Sequence, residues 1–192
     1  MVMSDSLRIR AAQESDALAI REFADRNIGA DYFSLEKVQT ILQLSQWSKK
    51  TMCSFVLEDV EHRTIEGIRL TYPPEQWPSR HPSQPIHPHL WKVPLHETAY
   101  FQSLFISPKH QNRGWGQRLS MASVEILRQT NARAVVCHSW DESPENSSRR
   151  YLNGLGFEPV TSIANFWRHI DYECTRCGRG CRCTATEMIL YL

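Results

Sequence analysis

A chain of 192 residues is long enough to close one full hydrophobic core, and its 41% apolar content is ordinary for a globular protein. A formal net charge of +1 argues against the broad basic surface that a nucleic-acid partner needs. No apolar run approaches a membrane span and the first residues lack the apolar core of an export signal, so the expectation is a cytoplasmic protein with reduced thiols.

Residues 7–11 alternate in polarity and predict a first strand. Ser15 is placed to cap a helix reaching about Asn27, with Ala17, Ile20, Ala24 and Ile28 on one face. A short joint, residues 28–33, carries Asp31, Tyr32 and Phe33. Ser34 then caps a second helix with Val38, Ile41, Leu42 and Ser45 on one side. Residues 51–58 and 64–72 predict a strand pair with a polar connection. Composition changes after that: residues 73–97 hold seven of the ten prolines and four of the eight histidines, with Trp77 and Trp91. Proline fixes φ and removes a donor, so a long ordered loop inserted between strands is expected here. His87 and His89 are poor metal candidates, because scattered loop histidines usually bind none.

The stretch from Tyr100 to Gly116 predicts an apolar strand, a turn at Pro108, and a loop that runs into a helix. Gly114 and Gly116 fall where that helix begins. The first amides of a helix have no intrahelical partner and lie at the positive end of its dipole. Glycine lets a ligand approach them closely, so the arrangement suits a phosphate or pyrophosphate. It is not a Walker loop, since no Lys-Ser/Thr follows, and Leu119 stands where a dinucleotide fingerprint needs its third glycine. In the helix, Trp115, Leu119, Ala122 and Ile126 form one stripe. Residues 134–140 predict another strand. Ser143-Pro144 starts a helix that Gly156 ends, and residues 157–170 and 184–192 predict two closing strands.

Gln111-Asn112-Arg113-Gly114-Trp115-Gly116 resembles the coenzyme A loop of the GNAT superfamily of N-acetyltransferases, whose pattern is Gln or Arg, two residues, Gly, one residue, Gly or Ala. Leu104-Phe105-Ile106-Ser107-Pro108 is similar to that family's fourth strand and its exit, and Leu155-Gly156-Phe157 to its Leu-Gly-Phe. The resemblance spans nearly the whole chain. It implies a GNAT fold, a mixed α/β (α+β) architecture with a splayed central sheet flanked by helices, in one domain of residues 1–192. Acetyl-CoA is then the co-substrate, and its acetyl group passes directly to an amine within a ternary complex. Amides near Phe105 and Ile106 would hold the acyl carbonyl and pantetheine. Those of Gln111, Asn112, Arg113, Gly114, Trp115, Gly116 and Gln117 would hold the pyrophosphate.

The transfer needs a base for the amine and an acid or dipole for the thiolate. Many members carry an acid tyrosine four residues before the glycine of Leu-Gly-Phe, and that position is Leu152 here. Tyr151, one residue away, is the candidate acid. A glutamate that some members place early in the fourth strand is replaced by Tyr100. Glu97, Tyr100, Gln102, His138 and Ser139 are the candidates for proton handling, Tyr100 and His138 foremost, with a bound water as an alternative base path.

Cys174, Cys177, Cys181 and Cys183 lie within ten residues, and the Cys-x-x-Cys-Gly at Cys174 resembles a zinc knuckle. Four thiolates form a closed tetrahedral set, so a structural Zn2+ in a Cys-rich insertion (residues 171–184) between the last two strands is expected. An iron–sulfur cluster and free thiols or disulfides are the alternatives. The resemblance implies that this turn lies near the joint of the first two helices, at the acceptor side. Arg176, Arg179 and Arg182 would then either attract an anionic acceptor or merely solvate an exposed knob.

The function expected is N-acetylation of a small-molecule or peptide amine. The alternative is a non-catalytic acyl-CoA-binding module whose knuckle docks a protein or nucleic acid. Expected partners are acetyl-CoA and the amine acceptor, with no membrane and no nucleic acid, and a homodimer left open.

Overall fold

The computed structural model describes residues 6–77 and 84–192; part of the proline-rich insertion, residues 78–83, lies outside them. In chain order the elements are β1 (Leu7–Ala11), α1 (Ala17–Asn27), α2 (Leu35–Leu44), β2 (Gln46–Ser48), β3 (Thr51–Met52), β4 (Phe55–Asp59), β5 (Thr64–Tyr72), β6 (Thr98–Ile106), α3 (Trp115–Leu127), β7 (Ala134–Trp140), α4 (Ser147–Gly154), β8 (Glu158–Ile163) and β9 (Ala185–Tyr191). Seven strands form one sheet in the order β1-β4-β5-β6-β7-β9-β8, with β2 and β3 a separate ribbon. Only β6 and β7 run parallel; every other pairing in the sheet is antiparallel.

Helices cover both faces. On one, Ile20 and Phe23 of α1 and Val38, Ile41 and Leu42 of α2 pack with Val56, Ile68, Leu70, Tyr72 and Tyr100. On the other, Val124 and Leu127 of α3 and Leu152 of α4 pack with Ala99, Phe101, Val135, Cys137 and Met188. Burial on two faces explains why β5 is almost continuously buried, Glu66 and Arg69 included. No helix among the described residues is long and apolar enough to cross a membrane.

Several expectations hold in detail. Ser34 Oγ accepts from the Lys37 amide at 3.1 Å and caps α2. The last helix ends in a Schellman pair, Phe157 N donating to Leu152 O and Gly156 N to Asn153 O, both at 3.0 Å. Others are corrected. Ser15 does not cap α1; residues 14–16 form a 3-10 turn instead. There Asp16 accepts from the Gln13 amide at 2.8 Å and is clamped by Arg10 at 2.7 and 2.9 Å, which pins the helix start to β1. The strand expected over residues 51–58 is broken in two: Thr51–Met52 belong to the β2–β3 ribbon, and the strand of the main sheet begins at Phe55.

The buried face of α3 is Leu119, Ser120, Ser123, Val124 and Leu127, not the stripe through Ala122 and Ile126. Two serines let this helix approach the sheet, and Ser123 Oγ donates to Cys53 O at 2.8 Å. Residues Glu145 (φ 52) and Asn146 (φ 56) are left-handed, so α4 starts at Ser147 rather than at Pro144. The strand expected over residues 157–170 stops at Ile163. Beyond it, Phe166 N donates to Cys183 O at 3.1 Å, and Trp167 and Ile170 pack against the cysteine turn. Among its described residues the insertion, expected to be an irregular loop, contains two 3-10 turns, Pro88–Leu90 and Leu95–Glu97.

The feature that positions the site is a fork. Residues 98–101 of β6 pair with residues 134–137 of β7, and the pairing ends at Phe101–Cys137. Just past that point Gln102 is an extra residue against β5, since Leu70 faces Ser103 while Thr71 faces Phe101. β7 stays bound to β9 along its whole length. The two strands therefore part, as the splayed sheet requires.

The α1–α2 joint lies against the cysteine turn. Glu173 N donates to Ala30 O at 3.3 Å, and the Tyr32 and Tyr172 rings meet edge-on with centroids 5.0 Å apart. A β-carbon at Gly29 would fall far inside contact with the Glu173 carbonyl oxygen. Gly29→Ala is expected to lower stability by about 1–3 kcal/mol through this overpacking. Hydrogen exchange should then quicken at residues 172–178 and stay unchanged in α3.

Candidate active site

The loop from Ser107 to Gly114 leaves β6 through a 3-10 turn, Pro108–His110. Gln111 Nε2 donates to Ile106 O at 2.9 Å and ties the loop to the strand end. Asn112 (φ 59) and Gly114 (φ 78) take left-handed conformations, and the chain turns into α3 with Arg118 N donating to Gly114 O at 3.1 Å. The amides that precede Arg118 have no carbonyl a turn before them and point out of the helix start. A β-carbon at Gly114 would meet nothing within 4 Å, so the cradle is open on that side, and residues 111–114 are exposed. Gly116 is closer packed: its β-carbon would sit 3.2 Å from Leu104 Cδ2. Arg118 stacks over Trp115 at 4.8 Å, and Lys109 is paired to Glu66 at 2.9 Å. These donors and cations fit a pyrophosphate.

The two faces of the fork carry different chemistry. On the α1–α2 face, Tyr100 Oη lies 2.9 Å from His138 Nδ1. His138 Nε2 is 3.7 Å from Glu187 Oε2, a carboxylate with no solvent exposure. Glu187 also accepts from Trp91 Nε1 at 2.9 Å and from the His87 amide at 3.1 Å, and His87 Nδ1 lies 3.1 Å away. Burial pushes the Glu187 carboxyl up, but His138, Trp91 and His87 outweigh it and hold it below the usual carboxylate value. The proline-rich insertion is thus fastened to β9 by one buried charge. Its Trp77 covers Tyr100 with ring centroids 5.1 Å apart. A cleft of about 400 Å³ lies between α1 and α2, lined by Leu18, Arg21, Asp31, Phe33, Ser34 and Leu35.

On the α3–α4 face, Tyr151 Oη contacts Ser120 Oγ at 3.1 Å and accepts a hydrogen bond from Arg69 Nη2. The Arg69 guanidinium also lies 4.2 Å over the Phe101 ring. Burial pushes the Tyr151 hydroxyl up, with Arg69 acting in the opposite direction. Leu152, at the position where the resemblance expects a tyrosine, is buried in the core, and Tyr151 reaches the fork instead. The structure therefore brings Tyr100 with His138, and Tyr151 with Arg69, to the same apex from opposite sides. Of the other candidates, Glu97 pairs with Arg133 at 2.9 Å, Ser139 Oγ bonds Ser148 Oγ at 3.2 Å, and Gln102 is the bulge residue at the fork. Sequence reasoning missed Glu187, Arg69 and Ser120. The available signal was a charge inside a strand, Arg69 with Glu66 in β5 and Glu187 alone in β9; Ser120, on α3, gave none.

Residues 34–157 match the acetyltransferase (GNAT) family, which is well over half of the 192-residue chain. The chain belongs to that family. It is accordingly an acyltransferase. Among solved structures it is similar to Arabidopsis thaliana NAA60 in complex with a bisubstrate analogue, at 13% identity and TM-score 0.69 over 96% of this chain and 97% of that one. It is also similar to yncA, a putative acetyltransferase from Salmonella typhimurium with its cofactor acetyl-CoA, at 18% identity, TM-score 0.66, and 97% and 94% coverage. A GCN5-related N-acetyltransferase from Kribbella flavida matches at 16% identity, TM-score 0.63, and 97% and 98% coverage. At these identities the likeness is one of fold. No curated protein matches the chain by sequence.

The cysteine turn sits between β8 and β9, as expected. The four Sγ atoms lie within 4.8 Å of one another, and Cys177 Sγ is 3.5, 3.7 and 3.6 Å from those of Cys174, Cys181 and Cys183. A tetrahedral Zn2+ with bonds of about 2.3 Å sets its sulfurs about 3.8 Å apart, so the donor set and its size fit. Among the described residues this is the one group of candidate metal ligands, and His87 and His89 are not part of it. Burial pushes the Cys174 thiol up, yet the amides of Cys177 and Arg176 and the Tyr172 hydroxyl bring it down to about 7. Two of the arginines hold the turn to the body rather than standing free: Arg179 contacts Asp171 at 2.7 Å and Asp31 at 3.7 Å, and Arg176 Nη1 donates to Glu142 O at 3.1 Å.

Gly116→Val should weaken acetyl-CoA binding by an order of magnitude or more in calorimetry, with the fold retained. Its added bulk would press on Leu104 and on the space before the helix amides. Unchanged affinity in a folded Gly116→Val protein would remove the loop from the cofactor site.

Proposed function

We propose that this protein is an acetyl-CoA-dependent N-acetyltransferase that moves the acetyl group directly to a primary amine of a small molecule or peptide. The observation that carries the reading is the fork with a proton acceptor on one face and a proton donor on the other, at the end of a strand that runs into a pyrophosphate cradle. In this reading residues 1–192 form one catalytic domain, with residues 73–97 and 171–184 as insertions at its acceptor side.

Pantetheine lies between the parted strands, where the backbone groups of Phe105 and Ile106 pair with its amides and the acyl carbonyl. Amides from Gln111 to Gln117 hold the pyrophosphate. The acceptor amine enters from the α1–α2 face. Its proton passes to Tyr100 Oη as the tyrosine proton moves to His138 Nδ1, at 2.9 Å. The Glu187 carboxylate beyond His138 favours the imidazolium that forms. The nitrogen then attacks the thioester carbon, the C–S bond breaks, Tyr151 protonates the departing sulfur, and the second nitrogen proton leaves to water as the amide forms.

Zn2+ at Cys174, Cys177, Cys181 and Cys183 is structural in this reading: all four positions are filled by thiolates, and its binding energy serves as folding energy for the turn. What it stiffens is the wall beside the α1–α2 joint.

Coenzyme A release across a panel of amines tests the activity. Tyr100→Phe and His138→Ala should each lower kcat by about 10²-fold or more, with acetyl-CoA affinity kept. Turnover unaffected by both changes would remove this pair from the chemistry. No release with any amine in the panel would favour an acyl-CoA-binding module instead. Elemental analysis should give one zinc per chain, and Cys177→Ser should lower it while acetyl-CoA still binds. Four freely titrating thiols in zinc-free protein would rule the metal out.

A further inference from the structure

Arg69 is 3% exposed and carries a permanent positive charge. Among the described residues no carboxylate pairs with it. The titratable groups that face it are Tyr151 from α4, Cys137 from β7 and Tyr100 from β6, none of them an acid at neutral pH. Its Nε has no hydrogen-bond partner, one Nη2 bond goes to the Tyr151 hydroxyl, and the Phe101 ring takes one face of the guanidinium. Burial works against the charged form here, but arginine does not give up its proton near neutrality. A buried, unpaired cation destabilises a fold, and an apolar side chain of similar volume would serve packing better. Retaining it makes sense when an anion arises beside it.

The position says which anion. Phe101 and Cys137, two of the neighbours of Arg69, are the last paired residues before β6 and β7 part. The thioester must lie at that point if the transfer proposed above is right, and the inference rests on that reading. When the new C–N bond forms and the C–S bond breaks, the sulfur leaves with the electron pair. It takes the Tyr151 proton, and the tyrosine oxygen regains one from water once coenzyme A departs. Negative charge thus appears first on sulfur and then on the tyrosine oxygen, both on the α3–α4 face. We infer that Arg69 is the positioning residue of the leaving-group side: it orients the Tyr151 hydroxyl and supplies the positive charge against which the coenzyme A thiolate is released.

A fixed cation at this place favours the thiolate of bound coenzyme A as well as the one formed in turnover, so the test needs no acceptor. Coenzyme A and acetyl-CoA are titrated by calorimetry into the unaltered protein, Arg69→Met and Arg69→Lys across about pH 6 to 9.5, and thiolate absorbance of the bound coenzyme is followed. Cys137 is silent over most of this range, since burial pushes its thiol up to about 12. In the unaltered protein the bound thiol should ionise about one pH unit or more below the free one. The preference for coenzyme A over acetyl-CoA should accordingly grow by about tenfold as pH rises through that ionisation. Arg69→Met should abolish the shift while acetyl-CoA affinity changes by less than about threefold, and Arg69→Lys should keep part of it. Tight acetyl-CoA binding with an unshifted thiol in the unaltered protein, or an equal shift in Arg69→Met, overturns this inference alone. Absence of acetyl-CoA binding by the unaltered protein overturns the transferase reading and this inference with it.

Discussion

The structure depends on one interrupted strand pairing. β6 is held to β5 through a bulge at Gln102, and β7 is held to β9 from end to end. Neither strand can follow the other past Phe101–Cys137. The inner edges of residues 102–106 and 138–140 are left facing each other without a ladder between them. Backbone donors and acceptors in that state call for partners, and an extended amide-bearing ligand is a natural one. The helix that begins at Trp115 adds its unpaired amides at the outer end of the same gap.

The fork also divides the side chains around it between the two faces of the sheet. Alternation along β6 sends Tyr100 to the α1–α2 face and Phe101 to the α3–α4 face, and the same alternation in β7 divides His138 from Cys137. A buried carboxylate, Glu187, backs the first face, and a buried guanidinium, Arg69, backs the second. In the transfer proposed here, the anionic Glu187 favours proton uptake at His138 on one side of the sheet, and the cationic Arg69 favours negative charge on the other.

Local signals carried much of this to the reader of the sequence. The Ser34 cap, the glycines at the start of α3, the Leu155-Gly156-Phe157 stop and the four cysteines each act through neighbours a few residues away, so spacing revealed them. The residues that were missed act across the fold: Arg69 meets Tyr151 over a separation of 82 residues, and Glu187 meets His87 over 100. In sequence each is only a charge in a strand, and a strand charge usually faces water. The proline-rich segment was legible as an irregular insertion, but its anchoring to β9 was not, because the Glu187 that holds it lies far downstream. Residues 164–170 misled for another reason. Phe166, Trp167 and Ile170 supply an apolar pattern that suits a strand, yet tertiary packing against the cysteine turn and His138 claims them.

The place of β9 bears on how such a chain is assembled. It follows every other strand in sequence but lies between β7 and β8. As the polypeptide emerges from the ribosome, β7 presents an open edge and β8 has no neighbour until residues 185–191 are out. The nascent sheet is then most exposed to pairing with other chains. Insertion of β9 closes that edge and delivers Glu187 to His138 in the same event, so closure of the sheet and burial of this charge coincide.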